Sequence, residues 1–553
     1  MHIRRWRDQR PEGQEPVVTE HHADILIVGG GLGGVAAALA AVAGGARVIL
    51  TEETTWLGGQ LTTQLVPPDE HPWIESFGAT ARYRRFRDAV RSYYRQWYPL
   101  RSVSREVPHL NPGAGRVGPL CHEPRVALAV IDAMLAPWQA AGALVVLRQH
   151  VPQSADVDGD RVQAVAFRDL DSGRDVVVTA RFVLDATETG ELLALSGTEF
   201  VTGAESRDET GEPHAADVAD ALNMQAVSVC FAVSHHDGED HTIDKPDDYA
   251  AWRAVEPRWW HGPQFGWVAP HPHTLEPRRY AFQPNPDDEP GSIVADQSKD
   301  PGSDELWTFR RILARNHFRR GVFGSDVTVV NWPMIDYLGG PVLGGSPEEN
   351  EAHVAAARAQ SRSFLYWLQT EAPRPDGGTG WPGLRPRPDV SGTADGLAMR
   401  PYIRESRRIR AQYRIPEQDL AVAVRPDGPV TYEDSVGIGS YRIDLHPSCR
   451  GDNYIDVPAW PFQIPLRALV PRRVRNLLAA GKNIGTTHIT NGCYRLHPVE
   501  WGIGEAAGLV AAFCTTRRSE PHEVTATPGL LRDVQDELVR QGGELAWPTV
   551  TYY

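Results

Sequence analysis

The sequence predicts an α/β protein in which a parallel sheet covered by helices is joined by an inserted α+β region. Three observations support this: residues 24–28 are almost entirely aliphatic, an alanine-rich stretch at residues 35–44 follows a glycine cluster, and residues 47–51 return to strand composition. Strands buried on both faces of a parallel sheet are aliphatic throughout, and helices that press on them carry small side chains. These segments therefore predict one β-α-β unit.

Composition indicates a globular protein that handles a small molecule. The 553 residues are 41% hydrophobic and 23% charged, and the formal net charge is −15. An acidic surface argues against nucleic-acid and anionic-membrane partners, because binding phosphates requires basic residues. We therefore expect a small-molecule substrate, no nucleic-acid or membrane partner, and a monomer or homodimer.

Cysteine usage and the apolar segments bear on location. The five cysteines are scattered and form no CxxC pair, which predicts neither a disulfide framework nor a metal site and favours a reducing cytoplasm. Residues 1–16 are polar and lack the apolar core of a secretory signal. Residues 23–50 are apolar enough to cross a bilayer. The glycines among residues 29–34 instead favour a strand-to-helix turn.

Further elements follow along the chain. Apolar spacing predicts a helix over residues 123–135 and a strand over 143–147. Residues 161–168 and 174–180, separated by a turn, are typical of a β-meander, and residues 182–186 predict another buried strand. Near the carboxyl end, residues 474–513 predict a strand, a glycine turn, a polar loop and a long helix.

Composition also predicts domain boundaries. From about residue 199 the chain is rich in Pro, Trp and His, which we assign to a substrate domain whose aromatic residues are mostly core or loop anchors. The predicted division is a polar tail at 1–20, the first part of a nucleotide-binding domain at 21–198, the substrate domain at 199–392, a mixed connection at 393–470, the last part of the nucleotide-binding domain at 471–520, and a terminal helix and tail at 521–553.

The glycine cluster has the GxGxxG spacing of a dinucleotide site. Gly29, Gly31 and Gly34 lie directly after a predicted strand and before a predicted helix. In a Rossmann-type turn the first glycine allows the turn, the second allows backbone to approach a pyrophosphate, and the third lets helix and strand pack closely. Glu52 ends the next strand, where a carboxylate can bind ribose hydroxyls. The motif alone leaves FAD, NAD and a purely structural glycine turn open.

Three later motifs carry a family resemblance. WLGGQLTTQ after Glu52 contains Gly58 and Gly59, DATETGE begins at Asp185, and LLAAGKNIG contains Gly481. With these motifs the sequence resembles FAD-dependent oxidoreductases of glutathione-reductase-like fold, including a large bacterial group of such proteins. Thr189 departs from the acid or glycine usual in that family.

The resemblance implies an FAD-binding domain of Rossmann type, with a β-meander, assembled from both ends of the chain. The cofactor-binding residues that it and the glycine motif imply are Gly29, Gly31, Leu32, Gly33, Gly34, Glu52, Glu53, Gly58, Gly59, Gln60, Val151, Ala186, Thr187, Gly481, Asn483, Gly502 and Ile503. Residues 502–507 also fit GxGxxA, but they do not follow a strand, so they do not predict a second dinucleotide site. The resemblance instead implies a flavin-facing helix there, whose positive end would favour reduced flavin.

The run IRESRR at residues 403–408 also resembles a motif of this group. Two purely structural interpretations of this run are the alternatives to a functional motif. It fits a solvated charged helix, and it fits a salt-bridge network in the core.

Candidate catalytic residues lie between two predicted FAD-contacting segments, at residues 486–497. His488 and His497 are candidate acids or bases, because imidazole titrates near neutral pH. Arg495 could anchor a carboxylate or stabilise reduced flavin, and Tyr494 and Asn491 are further candidates. A packing or capping role is the alternative for each histidine.

The leading functional hypothesis is a dehydrogenase or oxidase that removes hydride from an alcohol or amine carbon of a small polar metabolite. The sequence has no redox CxxC and no second nucleotide motif, which disfavours a disulfide reductase. An FAD-dependent monooxygenase acting on an aromatic or heteroatom is the alternative, although the Asp-Gly motif that resemblance to aromatic hydroxylases would imply is missing. A non-catalytic flavin-binding scaffold is a further alternative. The substrate, the electron acceptor and any covalent attachment of the flavin stay open.

Overall fold

A seven-stranded sheet forms the centre of the computed structural model, which describes residues 19–287, 304–549 and 551–552. The predicted polar tail lies outside these ranges except for its last two residues. The strands are β1 (Thr19–Val28), β2 (Val48–Glu52), β3 (Leu144–Arg148), β4 (His150–Asp158), β5 (Arg161–Asp169), β6 (Asp175–Asp185) and β7 (Leu477–Ala479).

Strand order shows a Rossmann-type sheet that carries a β-meander. The order is β3-β2-β1-β6-β5-β4, and β7 pairs with β6. Strands β1, β2, β3, β6 and β7 pair in parallel, whereas β4, β5 and β6 pair antiparallel. Because β7 lies far along the chain and still joins the sheet, both ends of the sequence build it. The predicted fold class is confirmed, while the domain boundaries predicted from composition stay a prediction.

One feature of the meander differs from the prediction. Strand β6 is continuous over residues predicted as two strands, 174–180 and 182–186. Neither Ala180 nor Arg181 interrupts it, since neither restricts the backbone as Pro does nor frees it as Gly does. The first half of β6 pairs with β5 and its end pairs with β7, so one strand belongs to both the meander and the parallel sheet.

Helices cover the sheet. They are α1 (Leu32–Ala43), α2 (Ala81–Trp97) and α3 (Pro124–Ala140) in the first part of the chain. The segment with the length of a membrane span is β1, α1 and β2, and within the described residues no helix is both long and apolar enough to span a membrane.

The inserted region is built around a second, smaller sheet and one long helix. Four antiparallel strands occur in the order Arg311–Leu313, Val327–Val330, Phe231–His235 and Leu384–Pro386, and α4 (Pro347–Thr370) begins with a capping box at Ser346. Aromatic rings pack edge to face in this core; Phe282, for example, lies 4.8 Å from Trp381 and 5.5 Å from Trp332 between ring centroids. The tryptophans that form this core are therefore anchors, as expected.

The carboxyl-terminal part supplies α5 (His488–Tyr494), α6 (His497–Arg517) and α7 (Pro528–Arg540). The predicted polar loop at 486–497 is therefore mostly helix α5, capped by Thr487, whose hydroxyl accepts from the Thr490 N–H. Helix α6 packs directly on α1 with backbone against backbone. A Cβ added at Gly504 would lie 2.6 Å from Gly33 Cα, and one added at Gly508 would lie 2.7 Å from Ala37 Cα. These two glycines therefore fix how closely the helices approach.

The shorter elements complete the described chain. Short strands are Phe200–Val201, Val227–Ser228, Val268–Pro270, Pro277–Arg279, Asp336–Tyr337, Arg408–Ile409, Ser435–Gly439, Ile443–Leu445, Ile455–Val457 and Phe462–Pro465. Short helices are Ser102–Arg105, Glu191–Leu195, Arg207–Thr210, Tyr249–Arg253, Leu306–Phe309, Pro388–Ser391 and Pro521–Ala526, and 3-10 turns are Gly59–Leu61, Arg315–His317, Pro333–Ile335, Glu417–Asp419 and Leu466–Ala468.

Candidate active site

The glycine turn after β1 is the floor of the candidate site. Gly29 has φ of +100°, and a Cβ there would lie 2.6 Å from the Thr187 nitrogen, so only glycine fits this position. Gly34 packs against the Gly29 carbonyl in the same way. Gly31 is the N-cap residue of α1 and offers no side chain to the helix. The first N–H groups of α1 can therefore serve an anionic ligand.

A cavity of about 300 Å³ opens above this turn. Seven predicted cofactor-binding residues line it, namely Gly29, Gly31, Glu52, Glu53, Gly59, Ala186 and Thr187. The inserted region closes the other side with Val342, Leu343, Pro347, Asn350, Val354 and Arg400. Its contribution was not predicted from sequence, because these residues belong to no recognisable motif.

Glu52 and Glu53 occupy the end of β2. The Glu52 carboxylate accepts hydrogen bonds from the Gly30 N–H at 3.0 Å and the Thr54 N–H at 2.9 Å, and burial raises its pKa. A carboxylate has room for more than one donor per oxygen, so ribose hydroxyls can still bind. Glu53 forms an ion pair with Arg400, which joins β2 to the inserted region.

The ends of β6 and β7 are joined by side chains. Asp185 accepts from the Thr187 N–H and the Leu193 N–H, each at 3.0 Å, and burial raises its pKa to about 6. Asn483 donates to the Asp185 carbonyl and accepts from the Gly481 N–H. The amide of Asn483, predicted to bind the cofactor, is therefore used to hold two strand ends together.

A buried lysine lies beside the glycine turn, and sequence reasoning missed its role. Lys482 forms ion pairs with Glu188 and, at 3.6 Å, with Glu500. Burial alone would lower the pKa of Lys482, but the two carboxylates outweigh burial and raise it. All three residues lie within motifs that the sequence displays, yet only their proximity in space identifies them as a cluster.

Several predicted cofactor residues lie outside the cavity lining. Gly33 packs against the backbone of Ala480, and Gly58, with φ of +110°, contacts Ile131 and Thr62. Leu32 is fully buried in α1, Val151 lies on β4 between two lining residues, and Ile503 is fully buried in α6. These residues pack against neighbouring elements and do not line the cavity.

Gly502, predicted to face the flavin, does not line the cavity above the glycine turn. The nearest atom to a Cβ built there is Ile464 Cδ1, at 3.8 Å, and Gly502 lines a separate small cavity with Val436 and Glu544. The residue of α6 that reaches the glycine turn is Glu500, whose Oε1 lies 3.5 Å from a Cβ built on Gly481. Glu500 and Gly502 are two residues apart and therefore point to different faces of the helix, which sequence alone does not orient.

His488 belongs to a buried charge network. The His488 Nδ1 lies 2.9 Å from Glu405 Oε1, and the backbone N–H of His488 donates to the Glu205 carboxylate. Arg408 forms ion pairs with both glutamates. Burial would lower the pKa of His488, but Glu405 raises it. The run at residues 403–408 is therefore a core salt-bridge network and not a solvated helix.

His497 and Tyr494, both predicted as catalytic groups, are buried and hydrogen-bonded to backbone atoms. His497 Nδ1 accepts from the Asp69 N–H at 3.1 Å and Nε2 donates to the Val66 carbonyl at 3.3 Å. Burial lowers the pKa of His497 to about 3, so it is neutral and both ring nitrogens are engaged. The Tyr494 hydroxyl donates to the Gln463 carbonyl.

Arg495 lies in a polar cluster at the start of α6. It donates to the Tyr402 hydroxyl at 2.6 Å and forms an ion pair with Asp444 at 3.3 Å. The Tyr441 hydroxyl donates to Asp69 at 3.1 Å. Burial, opposed by nearby Arg310, raises the pKa of Asp69 to about 6. Asp69 is partly exposed and was not predicted from sequence.

These residues fit FAD. The glycine turn suits a pyrophosphate, Glu52 suits a ribose, and Gln64, which lines the cavity, has a buried Nε2 with no hydrogen-bond partner among the described residues. Gln60, a predicted cofactor residue, uses its Nε2 to donate to the Arg495 carbonyl at 2.9 Å. A buried donor without a protein partner can bind a polar atom of a ligand.

The solved structures that match this chain share little sequence with it. L-proline dehydrogenase from P. horikoshii is 15% identical with a TM-score of 0.18, over 36% of this chain and 27% of that chain. The myxobacterial chondrochloren halogenase is 17% identical with a TM-score of 0.22, over 40% and 45%. Anhydrotetracycline hydroxylase from Streptomyces rimosus is 12% identical with a TM-score of 0.32, over 94% and 68%. The chain spans less than half the length of the first two.

The family comparison covers nearly the whole chain. A search of curated proteins finds no match. Residues 24–538 match the model of the FAD dependent oxidoreductase family. That range contains the glycine turn, the inserted region and helix α6. The chain therefore belongs to the FAD dependent oxidoreductase family, and its cofactor is FAD.

Proposed function

We propose that this oxidoreductase is a dehydrogenase or oxidase that removes a hydride equivalent from an alcohol or amine carbon of a small polar metabolite. When bound, FAD supplies the two-electron acceptor for such a reaction. The protein must then hold the substrate and accept its O–H or N–H proton. The observation that carries the proposal is the polar cluster of Asp69, Tyr441, Asp444 and Arg495 at the start of α6.

Asp69 is the proposed base. Its pKa of about 6 leaves it mostly ionised at neutral pH yet basic enough to accept a proton. The Tyr441 hydroxyl donates to one carboxylate oxygen and fixes its orientation, and the His497 ring accepts from the Asp69 N–H and fixes its backbone. Sequence analysis favoured His497 itself for this task, and we now assign it to positioning Asp69.

Arg495 is the proposed anchor for the polar group of the substrate. Its guanidinium is buried with Asp444 and Tyr402 as partners, and its Nε has no hydrogen-bond partner among the described residues. An unpaired donor on a buried arginine favours an oxygen atom of a ligand. The substrate class therefore combines an oxidisable C–H with an oxygen acceptor.

The test is anaerobic mixing of the holoenzyme with a panel of alcohols and amines, followed by measurement of the visible absorbance of the oxidised flavin. The flavin of the wild-type enzyme is expected to bleach with at least one compound. The rate of bleaching should rise as pH increases through about 6, because Asp69 ionises there. Asp69→Asn should slow bleaching by about 100-fold or more. Glu199→Gln, which removes an exposed carboxylate that pairs with Arg473 and does not line the cavity, is the matched control and should retain the wild-type rate.

Two outcomes would replace the proposal. If no compound bleaches the flavin but NADPH does so rapidly, with substrate hydroxylation in air, the enzyme is a monooxygenase. If neither donor reduces the flavin, the chain is a flavin-binding scaffold. Equal rates for Asp69→Asn and wild type would show that Asp69 is not the base, but they would not contradict the proposed dehydrogenase activity.

A further inference from the structure

We propose that Glu188 is a built-in competitor for the pyrophosphate of FAD, a carboxylate placed against the phosphate-binding turn that must move away or be neutralised for the cofactor to bind there. The proposal rests on FAD binding and is independent of the substrate and of the dehydrogenase reaction. The observation that supports it is the position of one oxygen atom, Glu188 Oε1.

Glu188 Oε1 lies directly against Gly31 of the glycine turn and against Gly59, the first residue of the 3-10 turn that follows β2. A Cβ added to Gly31 would lie 2.8 Å from this oxygen, and a Cβ added to Gly59 would lie 2.5 Å from it. Gly31 is the glycine whose missing side chain lets backbone approach a pyrophosphate in a Rossmann-type turn. A carboxylate oxygen therefore fills space that the glycine motif provides for a phosphate.

That oxygen is also unsatisfied. Glu188 Oε1 is buried and has no hydrogen-bond partner among the described residues, whereas Oε2 is paired with Lys482. Leaving a buried charged oxygen without a partner is unfavourable, so the conformation persists because Lys482 holds the other oxygen. Lys482 is itself buried and has Glu500 as its second partner.

The local charge makes coexistence with a pyrophosphate unfavourable. Glu188, Glu500 and Lys482 together carry one net negative charge, and Glu52 lies close enough for Glu188 to raise its pKa further. A pyrophosphate adds two more negative charges to this poorly solvated region. Like charges at such separations weaken binding by an order of magnitude or more when solvent screening is limited.

The position in the sequence supports the same conclusion. Glu188 follows Thr187 in the segment DATETGE, where Asp185 fixes the backbone through the Thr187 N–H and the Leu193 N–H. The backbone is therefore anchored on both sides of Glu188. Only the side chain needs to rotate for the space to open, so displacement does not require the turn to refold.

The test compares nucleotide affinities of the flavin-free, full-length chain by calorimetry. Glu188→Gln removes the charge and keeps the shape, so we expect ADP and FAD to bind on the order of tenfold more tightly than to wild type. Adenosine, which has no phosphate, should bind equally to both. Glu199→Gln, the matched control, removes an exposed carboxylate that pairs with Arg473 and does not line the cavity, and it should leave all affinities unchanged.

The outcomes separate the alternatives. Weaker FAD binding by Glu188→Gln would overturn the proposal and indicate that Glu188 accepts a hydrogen bond from the cofactor. Unchanged ADP affinity would overturn it as well. If Glu188→Gln does not fold, Glu188→Asp keeps a counter-charge for Lys482 on a shorter side chain and should also tighten ADP binding; no gain would reject the idea. Failure of wild type to bind either FAD or ADP would instead contradict the cofactor assignment.

Discussion

The packing of α6 on α1 makes a sharp prediction, because the same substitution two residues apart should have opposite effects. A Cβ added at Gly504 would lie 2.6 Å from Gly33 Cα and closer still to the Gly33 carbonyl oxygen, well inside the 3.4 Å at which ordinary van der Waals contact begins, so the two helices must move apart. Both helices are almost wholly buried, so the shift opens voids along their contact. We expect Gly504→Ala to lower the free energy of unfolding by ~1–3 kcal/mol.

Gly502→Ala is the matched control. Its Cβ would meet only Ile464 Cδ1, at 3.8 Å, so the substitution should fit and should raise stability by ~0.5–1 kcal/mol through higher helix propensity. Urea unfolding of both variants, followed by tryptophan fluorescence and by flavin release, measures the difference. Equal stability of the two variants would refute the packing argument, and flavin loss by Gly502→Ala alone would restore the flavin-facing role first implied for Gly502.

Three further predictions concern buried polar groups. Arg87 donates to Glu70 at 2.9 Å and to Glu75 at 2.6 Å, so Arg87→Met should cost ~3–5 kcal/mol of stability in urea unfolding by leaving Glu70 buried without its partner. Glu405 has its pKa lowered from 4.5 to about 2, because His488 and Arg408 outweigh burial; as pH falls from 4.5 to 2, wild type should lose ~3 kcal/mol more stability than Glu405→Gln. Tyr494→Phe should cost ~1–3 kcal/mol, measured by urea unfolding, since the Gln463 carbonyl loses its donor.

Local sequence was sufficient for the core of the FAD-binding fold. The β1-α1-β2 unit could be predicted because its aliphatic strand, its glycines and its small-residue helix are adjacent in the chain. The long helix α6 was predicted on similar grounds, from its composition and Pro498 in its first turn. Strand β4 was not predicted, since its polar, alternating sequence becomes a strand only by pairing with β5.

The candidate site shows the reverse. His488 and His497 were chosen because imidazole suits proton transfer, but each has a ring nitrogen engaged by groups from distant segments, Glu405 in one case and the Asp69 N–H in the other. Asp69 drew no attention in sequence, because a carboxylate becomes a base with a pKa of about 6 only through burial beside particular charges.

The sequence by itself determined the fold class and the glycine turn, because the backbone requirements of that turn are local and allow few alternatives. The choice of FAD over NAD came from the resemblance of the later motifs to a known family. Only the tertiary structure decided which side chains meet there. Lys482 and Glu188 are 294 residues apart in sequence and form an ion pair against the turn. Electrostatic interactions and burial depend on distances in space, whereas an amino-acid sequence gives only the separation of residues along the chain.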